Sequence, residues 1–248
     1  MDKFIRQLLE MFQSTAIWEM IAKGIWETIY STVLATLVAC ILGLILGVLL
    51  VAGEKDGVRP LPSGVMKVLN FVINILRSVP FLILMIMVLP LSKLILGTNV
   101  GTPASIIPLI VAAAPFVARL VETALREVDR GVIEAAQAMG CTPFQIIWKV
   151  ILPESMPSLL SSFTTSLVTI LGYGAMGGAI GGGGLGQMAI NYGYYKYNFA
   201  VMLVVVVLIV ILVQVFQSIG TRIAVSADHR SNKVKKGKGG KSAPITED

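Results

Sequence analysis

Apolar positions in this chain gather into long runs rather than narrow stripes. Residues 28–52 carry no charge, residues 79–96 carry only Lys93, and residues 102–118, 157–179 and 199–220 carry none. A helix that crosses a bilayer needs about 20 mostly apolar residues. The pattern therefore predicts an all-α membrane protein with about five transmembrane helices. Ahead of the first run, residues 1–14 place Phe4, Ile5, Leu8, Leu9 and Phe12 at helical spacing against Lys3, Arg6, Gln7 and Glu10. That stripe predicts an amphipathic helix lying in the outer interface. No cleavable leader is legible in it.

Between the third and fourth runs the chain turns polar over residues 127–153, and the punctuation there predicts two short helices. Asp129 is placed to cap the first, which carries Glu134, Ala135 and Ala136, and Gly140 supplies a left-handed stop. Thr142 is placed to cap the second, with Pro143 at its first position, Gln145 completing a capping box and Pro153 ending it. Small residues at Ala135, Ala136 and Ala138 would let another protein approach closely.

Composition agrees with the runs. The 248 residues are 55% hydrophobic and 14% charged, with a mean hydropathy of +0.82, which excludes a soluble domain. The distribution of basic residues sets the topology. Lys55, Arg59 and Lys67 lie in one loop, Arg119, Arg126, Arg130 and Lys149 flank the polar segment, and seven more follow the last run. The opposite side holds only Lys3, Arg6, Lys23, Lys93 and Lys196, so the N-terminus is expected outside and the 127–153 segment in the cytoplasm. The chain divides into a membrane domain over residues 1–221 and a basic tail over 222–248. The tail cannot bury a core and is expected to be disordered, attracted to anionic lipid rather than to nucleic acid. His229 in this tail reads as a solvated side chain. Cys40 and Cys141 are expected on different sides of the membrane's polar boundary, so no disulfide and no metal site follows from them.

Three features inside the runs invite a role. Lys67, Asn70, Asn74 and Arg77 form a polar stripe that ends at Pro80. An arginine at the bilayer centre costs about 2.5–3.5 kcal/mol on insertion scales, so Arg77 either faces the bundle interior and a translocation path or snorkels to headgroups. The fourth run concentrates hydroxyls at Ser162, Thr165, Ser166, Thr169 and Tyr173. These either bond back to their own helix or line a wet pathway, and their density favours the pathway. Last, residues 172–186 hold two G-x-G-x-x-G matches that follow no strand and lack a phosphate-loop lysine, so they are not nucleotide sites. Gly174, Gly178, Gly182 and Gly186 repeat every four residues and predict a close-packing helical face, with Gly43 and Gly47 offering another.

The 127–153 segment resembles the EAA loop of permease subunits in bacterial ABC importers. Glu134-Ala135-Ala136, Gly140 and Ile151-Leu152-Pro153 occupy the positions of that pattern. Leu171-Gly172-Tyr173, the Gly181–Gly186 run and Tyr192-Gly193-Tyr194 are similar to the methionine-importing branch, over residues 28–216. The resemblance implies a multi-pass protein of the bacterial plasma membrane, working as a homodimer with two cytoplasmic ABC ATPases and an extracytoplasmic methionine-binding lipoprotein. It assigns ATPase coupling to Glu134, Ala135, Ala136, Gly140, Thr142, Pro143, Ile151, Leu152 and Pro153. ATP and Mg would be used by the partner ATPase, and this chain would bind no cofactor. No catalytic constellation or intramembrane carboxylate pair is present in the sequence, so an enzyme is not expected. The alternatives are a permease for another amino acid or a quaternary-amine osmoprotectant, and an ATPase-independent channel.

Overall fold

The computed structural model describes residues 13–227, so the first twelve residues of the amphipathic helix expected at 1–14 and most of the basic tail lie outside the described residues. Helix α1 (Thr15–Ala52) begins well before the first charge-free run. At 1.5 Å per residue its 38 residues reach about 57 Å, longer than the roughly 30 Å hydrocarbon core. The surplus length accommodates Glu19, Lys23 and Glu27 beyond that core. One face of α1 buries Gly24, Thr28, Ser31, Ala35, Ala39, Gly43 and Gly47, a ladder of small residues that allows helix axes to approach closely. A Cβ at Gly43 or Gly47 would overlap Val117 or Val121 of α4 (Thr102–Arg126), so the packing expected of these two glycines is realised against that helix.

The second crossing differs most from its expected form. Helix α3 (Phe81–Leu96) has 16 residues, about 24 Å, and is too short to span alone. It meets α2 (Ser63–Ser78) at a bend of 110°. Pro80 has no N–H to give to the Leu76 carbonyl, and Val79 before it is extended with ψ 128°, as a residue preceding proline prefers. Among the described residues four helices are long and apolar enough to cross a membrane, and this bent pair is the fifth candidate.

Helix α4 continues eight residues past the run that predicted it, because its charged end is internally paired. Helices α5 (Arg130–Ala138) and α6 (residues 143–154) follow, then α7 (Met156–Gly177), α8 (residues 184–195) and α9 (Phe199–Ala227). The first six residues assigned to the tail, 222–227, are the last turns of α9. A single core joins the membrane bundle to the polar segment: Ala35 and Ala39 of α1, Leu109, Val117 and Val121 of α4, and Leu159 and Ile170 of α7 share it with Val128, Ala136, Ile146 and Ile151. A smaller core of Ile21, Leu185, Met188, Val201 and Val205 joins α1, α8 and α9 at the other end.

Candidate coupling surface and solute path

The polar segment folds as its punctuation predicts. Asp129 is extended, and its carboxylate accepts from the Gly131 N–H at 2.6 Å. Gly140 takes φ 78°, where a Cβ would be strained. Thr142 Oγ1 accepts from the Gln145 N–H at 3.4 Å while Gln145 Oε1 accepts from the Thr142 N–H at 2.8 Å, which completes the capping box. Pro153 does not end α6. Residues Ile147–Ile151 are π-helical, and the widened turn makes room for the proline ring, so the helix continues through Glu154. The Ser155 hydroxyl then donates to the Ile151 carbonyl at 2.8 Å.

Burial divides the nine coupling candidates into two sets. Ala136 and Ile151 are each 2% exposed and sit in the shared core, with Leu152 half-buried beside them. They fasten the segment to the bundle, and the burial of Ala136 corrects the expectation that it offers an approach face. Glu134, Ala135, Gly140, Thr142, Pro143 and Pro153 are exposed. The most prominent exposed groups are ones the motif did not single out. Met139, Phe144 and Trp148 are 77, 72 and 62% exposed, and the Phe144 and Trp148 rings lie parallel with centroids 6.3 Å apart. The i, i+4 spacing of Phe144 and Trp148 was the available signal.

Beside this surface is a charged ladder that the run pattern did not reveal. Arg119 donates to Glu122 at 2.7 Å, and also to Asn70 and Asn74 of α2 at 2.8 and 2.9 Å. Arg126 donates to the other Glu122 oxygen at 2.8 Å and reaches Glu54 after α1. Glu122 is only 9% exposed, so two guanidinium groups satisfy a carboxylate that could not be buried alone. Its signature was legible as Arg-x-x-Glu-x-x-x-Arg on one helix face. The ladder also settles part of the α2 stripe: Asn70 and Asn74 face α4, whereas Arg77 is exposed one turn further on.

The path candidates separate in the same manner. Ser166 is fully buried and donates to the Ser162 carbonyl at 2.7 Å, while Thr165 and Thr169 donate to the Ser161 and Thr165 carbonyls at 3.0 and 2.8 Å. Back-bonding thus satisfies these hydroxyls, yet Thr165 is exposed and Thr169 half-buried on one face of α7. Tyr173 stacks on Phe81 with centroids 4.3 Å apart, and both line a cavity of about 210 Å³ together with Arg77. The structure therefore brings Arg77 and Tyr173 to one place and separates Ser162 and Ser166 from it.

The glycine repeat is not a continuous helical face. Helix α7 stops at Gly177, a 3₁₀ turn covers Gly178–Ile180, and Gly181, Gly183 and Gly184 take positive φ. The chain doubles back, so Gly178 packs on the backbone of Gly186 and Gln187, and Gly186 on Ala175. Among the described residues nothing lies within 4 Å of a would-be Cβ at Gly174, so the expected close packing is not made there. Glu27 holds the hairpin by accepting from the Gly184 N–H at 2.8 Å, Thr28 accepts from Leu185 at 2.9 Å, and Gln187 accepts from Gly183 at 2.8 Å.

Comparison with known proteins agrees with this architecture. Residues 62–224 match the family model described as binding-protein-dependent transport system inner membrane component. A Vibrio cholerae protein named as a probable D-methionine transport system permease is 48% identical over 225 residues, covering 88% of this chain and 99% of the relative. A Bacillus subtilis protein named as a methionine import system permease is 46% identical over 168 residues, 68% of this chain and 76% of that one. Among solved structures, a chain of the MetNI methionine ABC transporter in inward-facing conformation superposes with a TM-score of 0.85 at 43% identity, over 88% of this chain and all of the other. The family match over residues 62–224 and the likeness over 88% of the chain lead to one family: this chain is an ABC-transporter permease, a member of the binding-protein-dependent transport system inner membrane components.

Proposed function

We propose that this chain is the permease subunit of an ATP-driven importer of methionine, acting as a homodimer. The likeness to the MetNI permease over that chain's whole length is the observation that carries the cargo and the assembly. Under this reading the N-terminus lies outside, the α5–α6 surface meets a pair of cytoplasmic ABC ATPases, and an extracytoplasmic binding lipoprotein delivers the solute. ATP and Mg belong to the ATPase partners, and the permease performs no chemistry.

Motion enters through the exposed face of α5 and α6. Glu134, Ala135, Gly140 and the Phe144–Trp148 pair meet the ATPase, and the buried side of the same helices carries the displacement inward. Ala136, Ile146 and Ile151 are packed into the core of α1, α4 and α7, and packed cores move as units rather than deforming smoothly. Arg119 and Arg126 link α4 to α2 and to the end of α1, so closure of the ATPases tilts the bent crossing along with the bundle. Thr165, Thr169 and Tyr173 on α7 and Arg77 on α2 face the path this motion opens.

The test is uptake of labelled methionine by vesicles containing this chain, its ATPase and its binding protein, with and without ATP. ATP-dependent accumulation abolished by unlabelled methionine is the expected result. Accumulation of a different amino acid or a quaternary amine would retain the importer and discard methionine, and equilibration indifferent to ATP would point to a channel.

A further inference from the structure

The cavity at the broken crossing has a chemistry that points to one end of the solute. Arg77 supplies its charge, no acidic residue lines it, and Phe81, Phe116, Leu84 and Tyr173 supply its apolar and aromatic walls. Among the described residues Arg77 has no ion pair or hydrogen-bond acceptor, unlike Arg119 and Arg126, each of which is paired with a carboxylate. At about 210 Å³ the space is below the ~300–1,000 Å³ of drug-sized pockets and suits a solute of few heavy atoms. Leu76, whose carbonyl has no N–H from Pro80 to accept, is also among the lining residues.

We infer that this cavity is a transient subsite for the transported amino acid, with Arg77 gripping its carboxylate and the Phe81–Tyr173 stack receiving its side chain. The inference rests on the methionine reading above. A guanidinium pairs a carboxylate through two parallel hydrogen bonds, and a thioether makes favourable contacts with aromatic rings. Placement at the 110° bend lets the grip loosen as α2 and α3 change their mutual angle, which suits a site that must release what it holds.

The experiment measures methionine imported per ATP hydrolysed by vesicles of the complete transporter carrying Arg77→Gln or Arg77→Lys. The unsubstituted chain is run first, and its failure to import methionine under ATP would overturn the cargo reading and this subsite with it. Given wild-type import, the neutral Arg77→Gln is expected to lower the ratio at least tenfold, and Arg77→Lys, which keeps a charge but loses the fork, to fall between. A wild-type ratio in Arg77→Gln would overturn the subsite while leaving the importer intact. Equal loss of import and ATP hydrolysis in both variants would show a structural arginine and overturn it as well.

Discussion

Individual side chains do different work on the two sides of the α5–α6 segment. Phe144 and Trp148 present stacked rings on the exposed face, and exposed aromatics are the residues from which interface hot spots are made. Phe144→Ala and Trp148→Ala are each expected to cost about 2 kcal/mol of ATPase docking, on the order of 30-fold in affinity, measured by titrating the purified ATPase onto the permease in detergent. Retained affinity in both would move the dock elsewhere. Glu134→Lys should also impair docking while the permease inserts normally. Glu122 works inward. Glu122→Gln removes the negative charge shared by two guanidinium groups and turns one acceptor oxygen into an amide donor, and it is expected to lower stability by about 1.5–3 kcal/mol, read as a drop in melting temperature. Glu54→Gln removes a half-exposed partner of Arg126 and should cost under about 1 kcal/mol. A larger loss at Glu54 than at Glu122 would contradict the burial argument.

At the scale of elements, the glycine hairpin between α7 and α8 makes a sharp prediction because its glycines are not equivalent. Gly178→Ala and Gly186→Ala drive a methyl group into neighbouring backbone, and overpacking of this kind costs about 1–3 kcal/mol. Gly174→Ala meets open space and should be neutral or slightly stabilising, since alanine is the better helix former. Thermal unfolding of the three variants in detergent separates them, and equal melting temperatures would deny the hairpin. The period of four suggested one helical face, whereas positive φ at Gly181, Gly183 and Gly184 folds the repeat back on itself. A glycine spacing records where bulk is forbidden; it does not record whether the obstacle lies on the next helix or on the same strand of chain after a turn. Caps behave differently. Asp129, Gly140, Thr142 and Gln145 were legible because each acts on backbone within three residues, and all four act as read.

For the whole molecule, the proposed solute path makes a prediction at Thr165 and Thr169, which lie on one face of α7. Cysteines there, in a background lacking Cys40 and Cys141, should react with water-soluble thiol reagents to an extent that changes several-fold with nucleotide state. A cysteine at Ser166, fully buried, should stay silent. Equal silence at all three positions would place the path on another surface. Sequence alone determined the number of apolar runs, the caps of α5 and α6 and the small-residue contact at Gly43 and Gly47. Each depends on local composition or on spacing within one helix, and a membrane leaves few other ways to satisfy the backbone. Tertiary structure decided which coupling candidates are core, that Asn70 and Asn74 serve Arg119, that Glu27 holds the glycine hairpin, and that Arg77 and Tyr173 share a cavity. Those facts join residues 45 to 157 positions apart, and only the packing of helices against one another brings such residues within hydrogen-bonding reach.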